Sequence, residues 1–349
     1  MKKNITCPEF PRGCKSLLSK YLTEDIYYKL NDKQTSNGFT LNDAISSGTV
    51  NLDSGIGVYA GDIESYTTFN LLFDPIILDY HGFSKEEKHA SNLNPNDLNA
   101  PNPDNEDKYI LSTRIRVGRN FANIPLGPAI SKEERENVEL AASNALNSLE
   151  GKLKGNYYPL AGMPEDISKQ LILDHFLFKA GDRFLEAAGL NRDWPSGRGI
   201  FHNVEKTFLV WVNEEDQLRI ISMQKGGDIK EVFERLTTAI KKIEEKIEFS
   251  YNGHLGYITS CPTNLGTAMR ASVHIKLPNL SKDMDRFKEI TDQFYLQIRG
   301  IHGEHSQSEG GIYDISNKRR LGVTEVQCVQ DMYDGVVELI KIEKELETK

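Results

Sequence analysis

Basic charge is in short supply. Lysines and arginines number 42 against 51 aspartates and glutamates, a formal net charge of −9. With no cationic surplus to neutralise a phosphate backbone, nucleic acid is not expected as a partner. A nucleotide needs only a local cluster of cations and stays open. Long hydrophobic runs are also missing, and nothing approaches the roughly 20 apolar residues of a membrane span. No membrane partner is therefore expected. Met1-Lys2-Lys3 leads into Asn4-Ile5-Thr6 and not into an apolar core, so it does not read as a secretory leader. Only four cysteines occur (Cys7, Cys14, Cys261 and Cys328), without metal-ligand or disulfide spacing, which points to a reducing, cytoplasmic setting. The sequence has no G-x-x-x-x-G-K-[ST] loop and no H-R-D or D-F-G set, so it uses neither the P-loop nor the protein-kinase solution.

What is present suits a soluble, globular protein. The 349 residues are 38% hydrophobic and 27% charged, enough for two domains or one large one. Residues 1–90 hold short apolar-periodic pieces broken by Gly, Ser and Asn, and read as a small all-α domain. Residues 91–108, rich in Asn and Pro, read as an exposed linker because they offer little to bury. From 109 to 349 the pattern predicts a larger domain with an antiparallel β-sheet flanked by α-helices. The fold class is thus α+β.

Within that larger part, Tyr109–Val117 alternates. Ser112, Arg114 and Arg116 share one face; Leu111, Thr113, Ile115 and Val117 share the other. Two guanidiniums side by side on a strand are costly unless an anion lies across them. Ser131 with Glu134 predicts a capped helix to about Leu153, and a second helical pattern spans Glu165 to Ala188. Strands at 207–212 and 218–223 are joined by Asn213-Glu214-Glu215-Asp216-Gln217, an acidic hairpin turn. Asp228 caps a helix striped with Ile229, Val232, Phe233, Leu236 and Ile240. Ser281 is expected to open another, and Thr324 with Gln327 to cap the last. The run Arg299–Gly311 is almost free of apolar residues and hinged by glycines, the composition of a lid.

Cys261-Pro262-Thr263-Asn264-Leu265-Gly266-Thr267 places a thiol where the chain turns, before a strand that puts Arg270, Ser272 and His274 on one face. A nearby hydroxyl and cation would lower the thiol's pKa and keep it accessible. Gly55-Ile56-Gly57-Val58-Tyr59 is a glycine loop able to offer backbone groups to a small ligand; it lacks the strand and helix of a dinucleotide site. If Arg114, Arg116, Arg219, Arg270 and Arg299 converge, five guanidiniums need a polyanion such as a nucleotide triphosphate with Mg²⁺. Glu215, Glu304 and Cys261 would then suit a guanidinium nucleophile, which needs a base and a fixed lone pair. His302 and His305 lack a second pair of ligands, so no metal site on the protein is expected.

The heptapeptide at Cys261 resembles the signature of the phosphagen (guanidino) kinases, and the likeness extends from about Pro11 to the last helix. The resemblance implies that ATP or ADP, with Mg²⁺ carried by the nucleotide, binds Ser112, Thr113, Arg114, Ile115, Arg116, His175 and Arg219. The same site would take in Arg270, Ala271, Ser272, Val273, His274, Arg299, Gly300, Ile301, His302, Gly303, Glu304 and Asp314. It implies guanidino-substrate contacts from Gly55, Ile56, Gly57, Val58, Tyr59, Glu215, Cys261 and Glu304, with Glu215, Cys261 and Glu304 catalytic. Glu304 and Tyr80 resemble the arginine-specific choice within the family, making L-arginine the expected substrate, and Asp53 with Arg183 resembles an interdomain ion pair. Ala268-Met269, Ile301-His302 and Gln307 depart from the family's usual residues; the last two alter the charge of the lid. Both monomers and dimers occur in such a family, and the monomer is expected. Taurocyamine, lombricine or glycocyamine as substrate, and a non-catalytic nucleotide or arginine sensor, remain the alternatives.

Overall fold

The computed structural model describes residues 6–174, 176–300 and 310–348. Helices α1 (Leu17–Tyr21), α2 (Glu24–Leu30), α3 (Leu41–Val50), α4 (Ser65–Thr68) and α5 (Asn70–His81) come first. Ser16, Thr23 and Thr40 start the first three by accepting the N–H three residues on. Their apolar sides meet around Leu18, Tyr27, Leu41, Phe69 and Phe73. This core is shared. Leu255, Ile258, Leu265 and Leu321 enter it from far down the chain, so the helices pack directly on the segment that carries Cys261.

β1 (Ile110–Arg119), α6 (Lys132–Asn147), β2 (Gly155–Pro159), α7 (Glu165–Leu173) and α8 (Arg183–Ala187) follow. Next come β3 (Gly199–Asn203), β4 (Phe208–Val212), β5 (Leu218–Lys225) and α9 (Ile229–Glu244). The chain ends with β6 (Tyr251–Asn252), β7 (Gly256–Tyr257), β8 (Met269–Lys276), α10 (Met284–Gln293), β9 (Leu296–Arg299), β10 (Ile312–Asn317) and α11 (Glu325–Glu347). Eight strands form one antiparallel sheet in the order β2-β3-β4-β5-β1-β8-β10-β9, while β6 and β7 pair separately. Helices α6, α9, α10 and α11 cover one face, where Ile115, Val117, Ala271 and Val273 meet Val232, Phe233, Val329 and Val336. Each such buried side chain contributes roughly 1.5–3 kcal/mol of transfer free energy. On the other face a smaller apolar cluster covers the β3–β4–β5 end (Ile200, Leu209, Trp211, Ile221) and leaves the β1–β8–β10 end polar.

The α+β expectation therefore holds, with local corrections. The helical pattern at 165–188 is two helices: Gly181 takes φ +96° and Asp182 caps α8 afresh, so no single helix passes through. The helix from Ser131 ends at Asn147, not Leu153. Asp283, not Ser281, caps α10. Leu111 is exposed because the β1–β8 register shifts between Ile110 and Ser112. The stretch 91–108 is fastened down instead of loose. Glu325 accepts from Ser91 and Asn92, Gln330 exchanges bonds with Asn99, and Asp104 accepts from the N–H groups of Lys108, Tyr109 and Ile110. Polar residues order this segment by satisfying hydrogen bonds, a route that hydrophobicity does not report.

Candidate active site

Strand periodicity and register assemble the cationic face. Ser112 lies opposite His274, Arg114 opposite Ser272 and Arg116 opposite Arg270, all on the side away from α9 and α11. On the other flank of β1, Arg219 of β5 pairs with Gly118. Asp314 of β10 faces both His274 and Arg299. Five arginines from four strands thus share one face of the sheet. Thr113, Ile115, Ala271 and Val273 belong to the same runs, but their side chains face the core and do not reach this surface.

The arginines are not equally neutralised. Glu214 and Glu215 hold Arg219 at 3.3 and 2.7 Å. Burial alone would pull its pKa down, but Glu214, Glu215 and Asp216 more than offset this and raise it. Arg270 bonds Asp314 at 2.5 Å, and His274 lies 3.4 Å from the same carboxylate. Arg114 and Arg116 have no carboxylate partner among the described residues. Burial, then the neighbouring guanidiniums, pushes Arg114 down to about 10 and Arg116 below its ordinary value as well. Such a cluster has the charge to hold an anion. Between Arg116, Arg219 and Arg270 lies a cavity of about 40 Å³, floored by Gly118. A Cβ on Gly118 would come 2.8 Å from Asp216 Oδ2, so glycine keeps this floor open.

Beside the cavity the hairpin turn brings Glu215 to the Cys261 turn, although 46 residues separate them in sequence (261 − 215). Asn264 Nδ2 donates to Glu215 Oε1 at 3.4 Å, and Ser260 Oγ donates to the Glu215 carbonyl at the same distance. Cys261 Sγ lies 3.1 Å from Thr263 Oγ1 and packs with Tyr59, Ala188 and Leu190. The glycine loop is next to it. Its carbonyls are used internally: Gly55 and Ile56 accept from Leu17 and Leu18, and Gly57 accepts from Gly48. Gly55 is exposed and Ile56 half-buried, and their N–H groups have no acceptor among the described residues; Gly57 and Val58 are buried. Gly57 sits at φ +82° with Leu18 Cβ 2.8 Å from where a side chain would begin, so only glycine fits.

Residues 137–346 match the ATP:guanido phosphotransferase C-terminal catalytic domain, and residues 12–78 match the N-terminal domain of the same group. The chain belongs to the ATP:guanido phosphotransferase family. It is 57% identical over 340 residues to "Arginine kinase Lit v 2.0101" of Penaeus vannamei, an alignment covering 97% of this chain and 95% of that one. It is 54% identical over 341 residues to an arginine kinase of Callinectes sapidus, with the same coverage of both chains. Among solved structures, a lombricine kinase superposes with a TM-score of 0.91 at 41% identity, covering 96% of this chain and 93% of that one. The duplicated taurocyamine kinase of Schistosoma mansoni superposes at 0.89 with 44% identity, covering 95% of this chain and 47% of that one.

For this member of the guanido phosphotransferases, one expectation is overturned. The Cys261 thiol is only 5% exposed, and burial followed by the charge of Glu215 pushes its pKa up to about 12. The hydroxyl of Thr263 lowers it, but no cation among the described residues is close enough to win. In the ligand-free protein, peptide-resolved alkylation of Cys261 by iodoacetamide should therefore keep rising with pH from 7 to 10. A plateau by about pH 8 would mean a thiolate already formed.

Two pocket residues escaped the sequence reading. Asp216 is 1% exposed; burial and then Glu215 raise it to about 6. Its Oδ1 accepts from Asn120 and Ser260, whereas Oδ2 has no partner among the described residues. Arg320 lines the same cavity and holds Thr263 O at 3.0 Å. Only their membership of the acidic turn and of Lys318-Arg319-Arg320 hinted at either. His175, Ile301, His302, Gly303, Glu304 and Gln307 lie outside the described residues, and Gly300 follows β9 directly.

Asp53 and Arg183 do pair across the two parts of the chain, with Arg183 also bonding Asn51. Both side chains are more than half exposed, 64% and 56%, so Asp53→Asn should leave the midpoint of a urea titration essentially unchanged.

Proposed function

We propose that the chain transfers the γ-phosphoryl group of Mg·ATP reversibly to a guanidino nitrogen of L-arginine, giving phosphoarginine and ADP. The observation that carries this reading is the junction of Glu215 and Cys261 at the edge of a cavity lined by Arg116, Arg219 and Arg270. It agrees with the 57% identity to an arginine kinase over nearly the whole chain.

Mg²⁺ enters with the nucleotide as part of the substrate. Among the described residues no group of three His, Cys, Asp or Glu is placed to hold it. The nucleotide phosphates lie across Arg114, Arg116, Arg219 and Arg270, and His274 with Asp314 marks the nucleoside side. The arginine carboxylate is held by backbone groups of the Gly55–Tyr59 loop. Glu215 accepts an N–H bond from the guanidinium and takes its proton as a nitrogen lone pair forms the N–P bond, while the P–O bond to ADP breaks. Arg219, held by two carboxylates, stays charged and fixed as negative charge grows on the leaving phosphate. The guanidinium supplies the cation that Cys261 lacks, favouring its thiolate once substrate is bound. Glu304 is assigned as the second carboxylate, and the same reading takes the chain as a cytoplasmic monomer. No helix of the described residues is long and apolar enough to cross a membrane.

An ADP-release assay across L-arginine, taurocyamine, lombricine and glycocyamine tests the substrate. L-Arginine should give the highest kcat/KM. A higher value with any of the others would reassign the enzyme within its family.

A further inference from the structure

The turn carrying Cys261 is gripped from two sides. From the sheet side, Arg320 donates to the Thr263 carbonyl at 3.0 Å and to Asn264 Oδ1. From the helical side, three separate segments reach the carbonyls around the thiol. Tyr66 Oη donates to Thr259 O at 2.8 Å, the Ala60 N–H to Ser260 O at 2.7 Å, and His81 Nε2 to Pro262 O at 2.9 Å. A carbonyl can only accept, so His81 holds its hydrogen on Nε2. Burial pulls the pKa of the ring down to about 4, which keeps it neutral.

His81 is the last residue of α5, fixed by the left-handed Gly82 that follows, and its ring meets Tyr80 edge-on at 4.8 Å. The carbonyl it holds begins the peptide that leads to Thr263, whose hydroxyl touches Cys261 Sγ. One residue further, the Asn264 amide reaches Glu215. Fixing that carbonyl therefore fixes the thiol and the amide together.

We propose that His81 is a positioning residue for phosphoryl transfer. Its bond to Pro262 sets the turn that places Cys261, and through the Asn264 amide Glu215, for the substrate guanidinium, and ties that placement to helix α5. The inference rests on the guanidino-kinase reading above.

The test compares His81→Leu, which removes the donor, with His81→Asn, whose amide is too short to reach, and His81→Gln, whose amide replaces Nε2. Measured are kcat and KM with L-arginine and Mg·ATP, melting temperature, and iodoacetamide modification of Cys261 resolved by peptide mass spectrometry. Leu and Asn should each lower kcat about tenfold, leave KM for Mg·ATP within about twofold, and speed Cys261 alkylation about fivefold as the turn loosens. Gln should restore both readouts to within about threefold of the parent. Parent-like kcat and alkylation in whichever of Leu and Asn folds would overturn the proposal, as would a loss in Gln as large as theirs. Alkylation needs no substrate, so it reports on the turn even if L-arginine proves the wrong acceptor. Failure of the parent protein to use L-arginine would count against the substrate reading alone.

Discussion

Glu215→Gln should lower kcat for arginine phosphorylation by about 10²–10³-fold while KM for Mg·ATP stays within about threefold. Glutamine keeps one oxygen, which can still accept from Arg219, now held at 2.7 Å; its amide nitrogen then faces the Asn264 amide and gives up that weaker bond. It loses the basicity needed to take a guanidinium proton. The same change should move Cys261 in the opposite sense. The charge of Glu215 is the second-largest influence raising that thiol's pKa after burial, so its removal should speed alkylation as kcat falls. A near-normal kcat would remove the base role; slower alkylation would mean that the charge of Glu215 is not what holds the thiol's pKa up.

Arg116→Met should have the second large effect, and it separates function from stability. Burial, then Arg219, Arg114 and Arg270, depresses the Arg116 pKa, and no acid pairs with it among the described residues. The charge of Glu214 offsets only part of this cost, and a bound anion would offset more. Methionine keeps the apolar stem and drops the charge. The expected outcome is a kcat/KM about 10³-fold lower, Mg·ADP binding by calorimetry at least about tenfold weaker, and a ligand-free melting temperature up by about 2–4 °C. The stabilisation that Mg·ADP gives the parent protein should be smaller in the variant at the same ligand concentration. A variant that melts lower yet binds Mg·ADP normally would make Arg116 a structural residue.

How much of this was legible in advance follows from the range of each interaction. The period of two in β1 and β8 put Arg114, Arg116, Arg270 and His274 on single faces, because that depends only on the residues themselves. The acidic hairpin was readable for the same reason, and so were the caps at Ser131, Asp228 and Thr324. Cross-strand register was not. Nothing local says that Gly118 faces Arg219, or that Asp216 turns inward to bond Asn120 and Ser260. The thiol went the other way for a related cause. Its pKa depends on how deeply the turn is buried and on a carboxylate 46 residues away in sequence (261 − 215), neither of which spacing encodes. The family resemblance supplied the list of site residues; the register explains why some of them face the cavity while Thr113, Ile115, Ala271 and Val273 face the core.

The most direct measurement is ³¹P NMR of the enzyme with Mg·ATP and L-arginine. A cation-lined cavity beside a positioned base should deliver the phosphoryl group to nitrogen and not to water. A phosphorus–nitrogen resonance should therefore grow in step with ADP, and it should drain back when ADP is added in excess. Inorganic phosphate as the product, or no phosphorus–nitrogen resonance at any ratio of substrates, would contradict the account.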